Sequence, residues 1–467
     1  MLNSIIFNTD SYKVSMWKQY PEGTRFVYSY ISARGGIYDA TVVMGLRSFV
    51  NDVLSKPVTK EDVELGKLYW EVHGEPFNYD GWMYIVNELN GYLPLQVRAI
   101  PEGSVVPTGN PLVTIVNTDP KCFWLTTWVE TAALRAVWYP SSVATVSFEI
   151  KKVIRKYLEI SGTPSDIAFK LHDFGARGTS SLESASLGGM AHLVNFMGTD
   201  TYSGIVRVMQ DYGDAPDTIG FSIPAAEHST ITSWGKEFES KAFANMVDKF
   251  AGPGKIYAVV SDSYDIFEAC RKWGFEPLKS KVINSGGTLV IRPDSGDPVQ
   301  VLLKCVGILG STYGFTINEK GFKVLNNVRL IWGDGINKDT ITQIYSILVD
   351  QYSWSADNFA FGMGGALLNK IQRDDLGWAM KCSAIGLGYE SDTWIKWLPV
   401  FKDPVTAPGK ASLKGCVTTY LRNGEYSTGV TDWETDALVD YYFNGTDEYP
   451  VFTEPFSAVR ARAEAAL

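Results

Sequence analysis

Histidine and cysteine are scarce, with four and five copies in 467 residues. The cysteines (Cys122, Cys270, Cys305, Cys382 and Cys416) are odd in number, scattered, and never form a C-x-x-C pair. That pattern offers neither a disulfide framework nor a structural zinc site, so reduced, mostly buried thiols are expected. Nowhere do about 18 consecutive apolar residues occur that would span a bilayer. The opening stretch, MLNSIIFNTDSYK, lacks the cationic start and long apolar run of a secretory leader. A cytoplasmic protein with no membrane partner is therefore expected. Fixed-period repeats, low-complexity tracts and long charge runs are missing too, which excludes solenoids and disordered tails. Lys and Arg number 42 against 52 Asp and Glu, for a net charge of −10. Such a balance argues against a nucleic-acid partner, whose backbone needs neutralising, and still leaves room for local basic pockets that hold small anions.

What is present is an ordinary globular composition, 45% apolar, 13% aromatic and 20% charged, long enough for two or three domains or one large barrel with additions. The N-terminal third reads as mixed: a strand over 25–31 (RFVYSYI), short strands within 93–116, and a long helical pattern over 122–158 broken near Pro140. From about residue 165 the texture changes to short apolar runs, each followed by a Gly or Asp turn and then a helix-like segment. The runs are IAFKLHDFG, KIYAVVSDS, TLVIRPDSG, VRLIWGDG and NFAFGMGG. This repeated order predicts a parallel α/β architecture, and the lack of a dinucleotide fingerprint favours a (β/α) barrel over an open sheet. The barrel is expected over 161–376, with a framing α+β domain over 1–160 completed by 377–467. Chemistry in such barrels gathers at the carboxyl ends of the strands.

Each of those ends carries polar residues. In LVIRPDSGDP, Arg292 and Asp294 stand two positions apart, so both point to one side. Arginine offers a fork to phosphate, and the carboxylate can accept ribose hydroxyls or hold Mg2+ through water, although an Arg–Asp pair closing a turn leaves the same pattern. The turns at Gly333-Asp334-Gly335 and Gly362-Met363-Gly364-Gly365 let backbone N–H groups approach an anion ahead of a helix N-terminus, and together they suggest a phosphate seat. Neither matches a Walker or Rossmann pattern. In FSIPAAEHST, His228 has the chemistry of a general base or of a nucleophile toward phosphorus, with Asp262 at the end of KIYAVVSD as the residue that orients its ring. A lone histidine is more often a hydrogen-bonded packing residue. In LHDFGARG and HLVNFMGTDT, Phe174 can stack on a flat ring, Arg177 can bind phosphate, and Asp200 can accept from an amide N–H2. Taken singly, Phe174 reads equally as core and Asp200 as a cap or turn residue. Three of the four histidines (His172, His192, His228) fall in this half of the chain, a bias that hints at a site.

Taken together, LHDFGARG, HLVNFMGTDT, SIPAAEHSTITSWGK, VVSDSYDIF, LVIRPDSGDP, GDG, FGMGG, KCSAIG and FKDPV, with TDSYKVSMWKQYP near the start, resemble the nicotinamide phosphoribosyltransferase family of type II phosphoribosyltransferases from about residue 9 to 405. The resemblance implies an irregular (β/α) barrel joined to a second, smaller β-rich α+β domain, and a homodimer with active sites at the interface. It implies transfer of the 5-phosphoribosyl group of PRPP to nicotinamide, giving nicotinamide mononucleotide and pyrophosphate in NAD salvage, with ATP as co-substrate. The pyridine would lie between Phe174 and Tyr12 of the partner subunit, near Ser222 and Ile223, with Asp200 reading the carboxamide. Arg292 and Asp294 would face phosphate and ribose, and Gly333, Asp334, Gly364 and Gly365 would hold phosphate and sugar. His228 would be phosphorylated by ATP, and Arg34, Arg177, Arg373, Lys381 and Lys402 would contact phosphate groups. Mg2+ would be held mainly by substrate phosphates and water, with no structural metal. Departures from the family pattern are Met363 between the glycines, expected to narrow or reshape the phosphate seat, a longer stretch at 386–397, and a match that fades after 405, where TYLRNGEYSTGV reads as a hairpin around Asn423-Gly424. The rival expectations are a nicotinate phosphoribosyltransferase and a non-catalytic nucleotide-binding protein on the same fold.

Overall fold

A computed structural model describes residues 4–388, 394–406, 411–431, 436–445 and 453–467. The chain divides into two compact units: one of Met1–Thr145, Gln210–Gly213 and Gln372–Ala466, the other of Val146–Met209 and Asp214–Ile371.

The second unit is the barrel. Six parallel strands lie in the order Gly198–Thr199, Leu171–Asp173, Phe359–Met363, Val328–Trp332, Thr288–Arg292 and Ile256–Val260. They are short and apolar because a parallel sheet is buried on both faces, and helices such as Pro298–Tyr313 and Lys338–Leu348 return the chain between them. The two free edges are joined by residues 221–226. Phe221 pairs with Gly198 and Ala225 with Ala258. Backbone hydrogen bonds reach both neighbours: Thr199 N–H to the Phe221 carbonyl (3.0 Å) and Phe221 N–H to the Met197 carbonyl (2.7 Å) on one side, and Ala258 N–H to the Pro224 carbonyl (2.9 Å) and Ala226 N–H to the Ala258 carbonyl (3.0 Å) on the other. The sheet closes through a segment that contains Pro224 and Ser222, which makes the barrel irregular.

The other unit carries an antiparallel sheet in the order Lys396–Pro399, Ala379–Leu387, Thr24–Ser32, Val113–Asn117, Leu95–Ala99 and Val439–Phe443. Its core includes three indoles, Trp82, Trp124 and Trp128, meeting edge to face with centroids 5.0–5.9 Å apart. The hairpin expected around Asn423-Gly424 is present, Val417–Arg422 pairing with Glu425–Val430. Both turn residues have positive φ, as a type I′ turn requires.

One expectation fails. Instead of breaking near Pro140, the helix runs from Glu130 to Ser161 with that proline inside it. Pro140 removes a donor to the Ala136 carbonyl. That carbonyl faces Gly45, where even a Cβ would come within 2.1 Å of the oxygen, so the missing side chain makes room for it. Ser141 bonds back to Met44 through both its acceptor and donor capacity, which pins the same turn. All five cysteines are free thiols and four are buried. No helix among the described residues is long and apolar enough to cross a membrane. Residues 389–393, inside the stretch expected to be extended, lie outside the described residues.

Candidate active site

The turns at the carboxyl ends of five of the six barrel strands open on one cavity of about 470 Å³, and the sixth strand reaches it through Val260. Phe174 and Arg177 follow the strand Leu171–Asp173, Asp200 follows Gly198–Thr199, and Arg292 and Asp294 follow or end Thr288–Arg292. Gly333 and Asp334 follow Val328–Trp332, Gly364 and Gly365 follow Phe359–Met363, and His228 opens a short helix behind the closing segment. All ten line that cavity.

The floor is the Phe174 ring. Its N–H is fixed by the Met363 carbonyl at 2.9 Å, and the ring lies on Gly362, where a Cβ would come within 1.9 Å of Cε2. Arg292 covers one side with its guanidinium carbon 5.1 Å from the ring centroid, and His172 tilts against the ring at 5.2 Å. Arg292 also donates to Asp294 Oδ1 through Nη2 (2.9 Å) and Nε (3.2 Å). Both groups of the pair are partly open to solvent.

Asp200 stands beside this floor. Its Oδ1 accepts from His172 Nε2 at 2.9 Å and from the Ser222 hydroxyl at 2.6 Å. Burial pushes this carboxyl up, but the His172 and Ser222 hydrogen bonds and the nearby Arg292 charge outweigh it and hold it below the ordinary aspartate range. It is therefore an anion at neutral pH. Deeper down, Asp173 has no exposure and accepts from Gly175 N–H at 2.7 Å through Oδ1. Desolvation drives its pKa up to about 6.

On the far wall, His228 Nε2 lies 2.8 Å from Asp262 Oδ1. Asp262 is nearly buried, and its other oxygen accepts from the Asp294 backbone N–H (3.1 Å) and the Ser295 hydroxyl (2.6 Å). Carboxylate oxygens only accept, so the His228 tautomer that fits carries its proton on Nε2 and presents a bare Nδ1.

Not every expected residue meets the cavity. Asp262 and Ser222 act from behind, through His228 and Asp200. Ile223 is 37% exposed and is not part of the lining. Met363 does not narrow the seat: its side chain is 2% exposed, and its contribution is the carbonyl under Phe174. The helix-dipole part of the phosphate seat is also weaker than expected. Gly365–Leu368 is a single turn, and in the first turn of Lys338–Leu348 the N–H groups of Asp339 and Thr340 are taken by the Asn337 side chain. His192 is a core residue, bonded to the Ser147 hydroxyl and the Gly198 carbonyl and stacked on Phe196. His172, by contrast, belongs to the site. Nothing in its local sequence separates it from a core histidine, and only the period-2 alternation with Phe174 places the two on one side of the strand.

Tyr12, Arg34, Arg373, Lys381 and Lys402 lie in the other unit. Tyr12 is 59% exposed, Arg34 Nε donates to the Gly377 carbonyl at 2.7 Å, and Arg373 donates to Asp374. Burial lowers the Lys381 pKa, and the charges of Arg34, Lys402 and Lys13 lower it further against the pull of Glu130. Arg34, Lys402 and Lys13 are thus near enough to Lys381 to act on its charge. Lys402 is exposed.

Comparison with known proteins follows this geometry. A model of the nicotinate phosphoribosyltransferase (NAPRTase) family matches residues 169–445, and a model of the nicotinamide phosphoribosyltransferase N-terminal domain matches 4–97. A nicotinamide phosphoribosyltransferase of Xanthomonas campestris pv. campestris is 49% identical over 457 residues, 95% of each chain. One of Acinetobacter baylyi is 31% identical over 87% of this chain and 86% of its own. Among solved structures, nicotinate-nucleotide pyrophosphorylase of Pyrococcus furiosus superposes with a TM-score of 0.62 at 15% identity, covering 99% of this chain and 95% of that one. Human nicotinic acid phosphoribosyltransferase gives 0.56 at 14%, covering 98% and 93%. The two structures share the fold, the barrel with its cavity falls within the first family match, and the relatives align along nearly the whole length: the chain belongs to the nicotinate phosphoribosyltransferase family.

Proposed function

We propose that this protein transfers the 5-phosphoribosyl group of PRPP to nicotinamide, giving nicotinamide mononucleotide and pyrophosphate, and that ATP hydrolysis drives the transfer through a phosphohistidine. One observation carries the reading: an aromatic floor, an anionic oxygen, an Arg–Asp pair and a histidine with a free nitrogen converge on one cavity. The pyridine stacks on Phe174, and Asp200 Oδ2, which takes no protein donor among the described residues, accepts from the carboxamide. Arg292 and Asp294 face phosphate and ribose, and Arg177, Gly333, Asp334, Gly364 and Gly365 complete the grip. In the transfer the ribose C1–O bond to pyrophosphate breaks and a C1–N bond to the pyridine forms, through an oxocarbenium-like sugar. The task of the protein is alignment and charge stabilisation rather than proton transfer.

His228 Nδ1 is the nucleophile toward the γ-phosphorus of ATP. The P–O bond to ADP breaks as the N–P bond forms, and water later cleaves N–P to release orthophosphate. Asp262 holds the imidazole in the tautomer this step needs. Mg2+ fits the site only in part. Asp294 and Asp334 offer hard oxygen donors, yet among the described residues no group of three His, Cys, Asp or Glu is placed to hold a metal ion. A bound Mg2+ would take most of its ligands from phosphate oxygens and water, and would offset diphosphate charge. A homodimer belongs to the same reading, with Tyr12 of the partner subunit as the second aromatic face and Arg34, Arg373, Lys381 and Lys402 as phosphate contacts. So does a cytoplasmic setting, where PRPP and ATP are at hand.

The nicotinate alternative meets Asp200 as an obstacle, because it sets one carboxylate against another. The test is a product assay with PRPP and either nicotinamide or nicotinate, with and without ATP and Mg2+. Nicotinamide mononucleotide formation stimulated by ATP is expected. Preference for nicotinate would reassign the substrate, and ligand binding without product would favour the non-catalytic alternative.

A further inference from the structure

We infer that His172 is the positioning residue that aims the Asp200 carboxylate, and so sets the preference for a carboxamide over a carboxylate substrate. The inference rests on the proposed function and goes one layer beneath it.

The two oxygens of Asp200 are divided between protein and cavity. Both donors to this side chain among the described residues, His172 Nε2 and the Ser222 hydroxyl, converge on Oδ1, and the carboxylate is half exposed. Asp200 Oδ1 is thereby occupied and Oδ2 is the acceptor left for ligand.

The ring that does this is itself fixed. His172 pairs with Gly198 across the strands. A Cβ at 198 would fall 2.7 Å from Nδ1, so the imidazole lies over a residue that has no side chain to displace it. Its other contact is Phe174, at 5.2 Å. One residue thus couples the stacking floor to the amide reader.

The donor type matters as much as the position. An imidazole donates along one direction fixed by its ring, so it holds the carboxylate through Oδ1 and leaves Oδ2 turned to the ligand. A lysine in the same place, with three donors on a flexible stem, would not fix that orientation.

The test separates donor from ring. His172→Phe keeps an aromatic ring and loses the donor; His172→Gln loses the ring and keeps an N–H2 at similar reach. Steady-state kcat and KM are measured for nicotinamide and nicotinate at saturating PRPP, and KM for PRPP in parallel. In His172→Phe the ratio of kcat/KM for nicotinamide over nicotinate should fall by about tenfold, carried mainly by the nicotinamide KM, as expected for losing one hydrogen bond to a charged acceptor. In His172→Gln it should stay within about threefold of the parent protein, and KM for PRPP should hold within about twofold in both. If the Phe variant does not fold, His172→Ala supplies the donor-free arm. An unchanged ratio without the donor, or equal loss in the Gln variant, overturns the inference. Failure of the parent protein to convert nicotinamide overturns the functional reading instead, so the two failures are distinct.

Discussion

Gly362 offers the sharpest perturbation of the site because it touches no ligand. A Cβ there would sit 1.9 Å from Phe174 Cε2, 2.2 Å from Cδ2 and 2.7 Å from Cζ, where ordinary contact begins at 3.4 Å. In Gly362→Ala the ring must therefore move by about 1.5 Å, since the clash is with the body of a ring and not with the tip of a flexible chain. Strand pairing with Leu171–Asp173 holds the backbone of both partners, and His172 and Arg292 flank the ring, so it yields toward the cavity. Loss of a stacking contact costs about 0.5–1.5 kcal/mol, or roughly a 2- to 12-fold rise in nicotinamide KM. A reacting ring displaced by about 1 Å can cost a further factor approaching about 10² in turnover. We expect kcat/KM for nicotinamide to fall between about 10- and 1000-fold, with KM for PRPP much less affected. The assay is initial rates with nicotinamide varied at saturating PRPP, alongside thermal unfolding to show that the variant is folded. A folded Gly362→Ala protein with an unchanged nicotinamide KM would refute the stacking role of Phe174.

Asp262→Asn acts on the histidine rather than on its neighbours. Asp294 N–H and Ser295 need an oxygen, so the new amide nitrogen turns to His228 Nε2, donates to it, and moves the imidazole proton to Nδ1. ATP stimulation should fall by about 10²-fold or more, further than the ATP-independent rate does, and acid-labile phosphate on the protein should vanish; equal loss of both rates would count against the phosphohistidine. Asp200→Ser removes the anion that faces the substituent of the pyridine, and competition between nicotinamide and nicotinate should shift toward nicotinate; an unmoved ratio would remove Asp200 from the recognition step. Asp173 holds its proton to about pH 6 when folded, against 3.8 for an ordinary aspartate, so the native state binds more protons in that window and stability falls as pH rises through it. In Asp173→Asn the drop in unfolding midpoint between pH 4.5 and 7.5 should shrink, and an identical slope in both proteins would show that Asp173 is not the group responsible.

Five of the six barrel strands were legible because each is a short apolar run closed by a Gly or Asp turn, and the same turns carry the site, so strand ends and chemistry were read together; the two-residue strand Gly198–Thr199 has no such run. The closing segment was not legible. FSIPA has a proline and a serine and no strand pattern, and only the two unpaired edges beside it make it part of a sheet. The continuation of the helix past Pro140 was hidden for a related reason, since the local rule for proline is overridden by a neighbouring glycine 95 positions earlier in the chain. His172 was missed as a site residue because its partners lie at Asp200 and, through it, at Ser222, and no local spacing reports a bond across 28 residues. The helix-dipole argument is weakened at Lys338–Leu348 by Asn337, whose cap takes the Asp339 and Thr340 N–H groups.

The seam at 221–226 ties architecture to recognition. Four main-chain bonds lock it between two edges, and side chains alternate along it, so a slip of one position would put Ile223 where Ser222 now reaches Asp200. A single inserted or deleted residue there would reopen the cylinder and mute the amide reader in one stroke, whereas added length in the exposed turn at 213–218 leaves the seam intact.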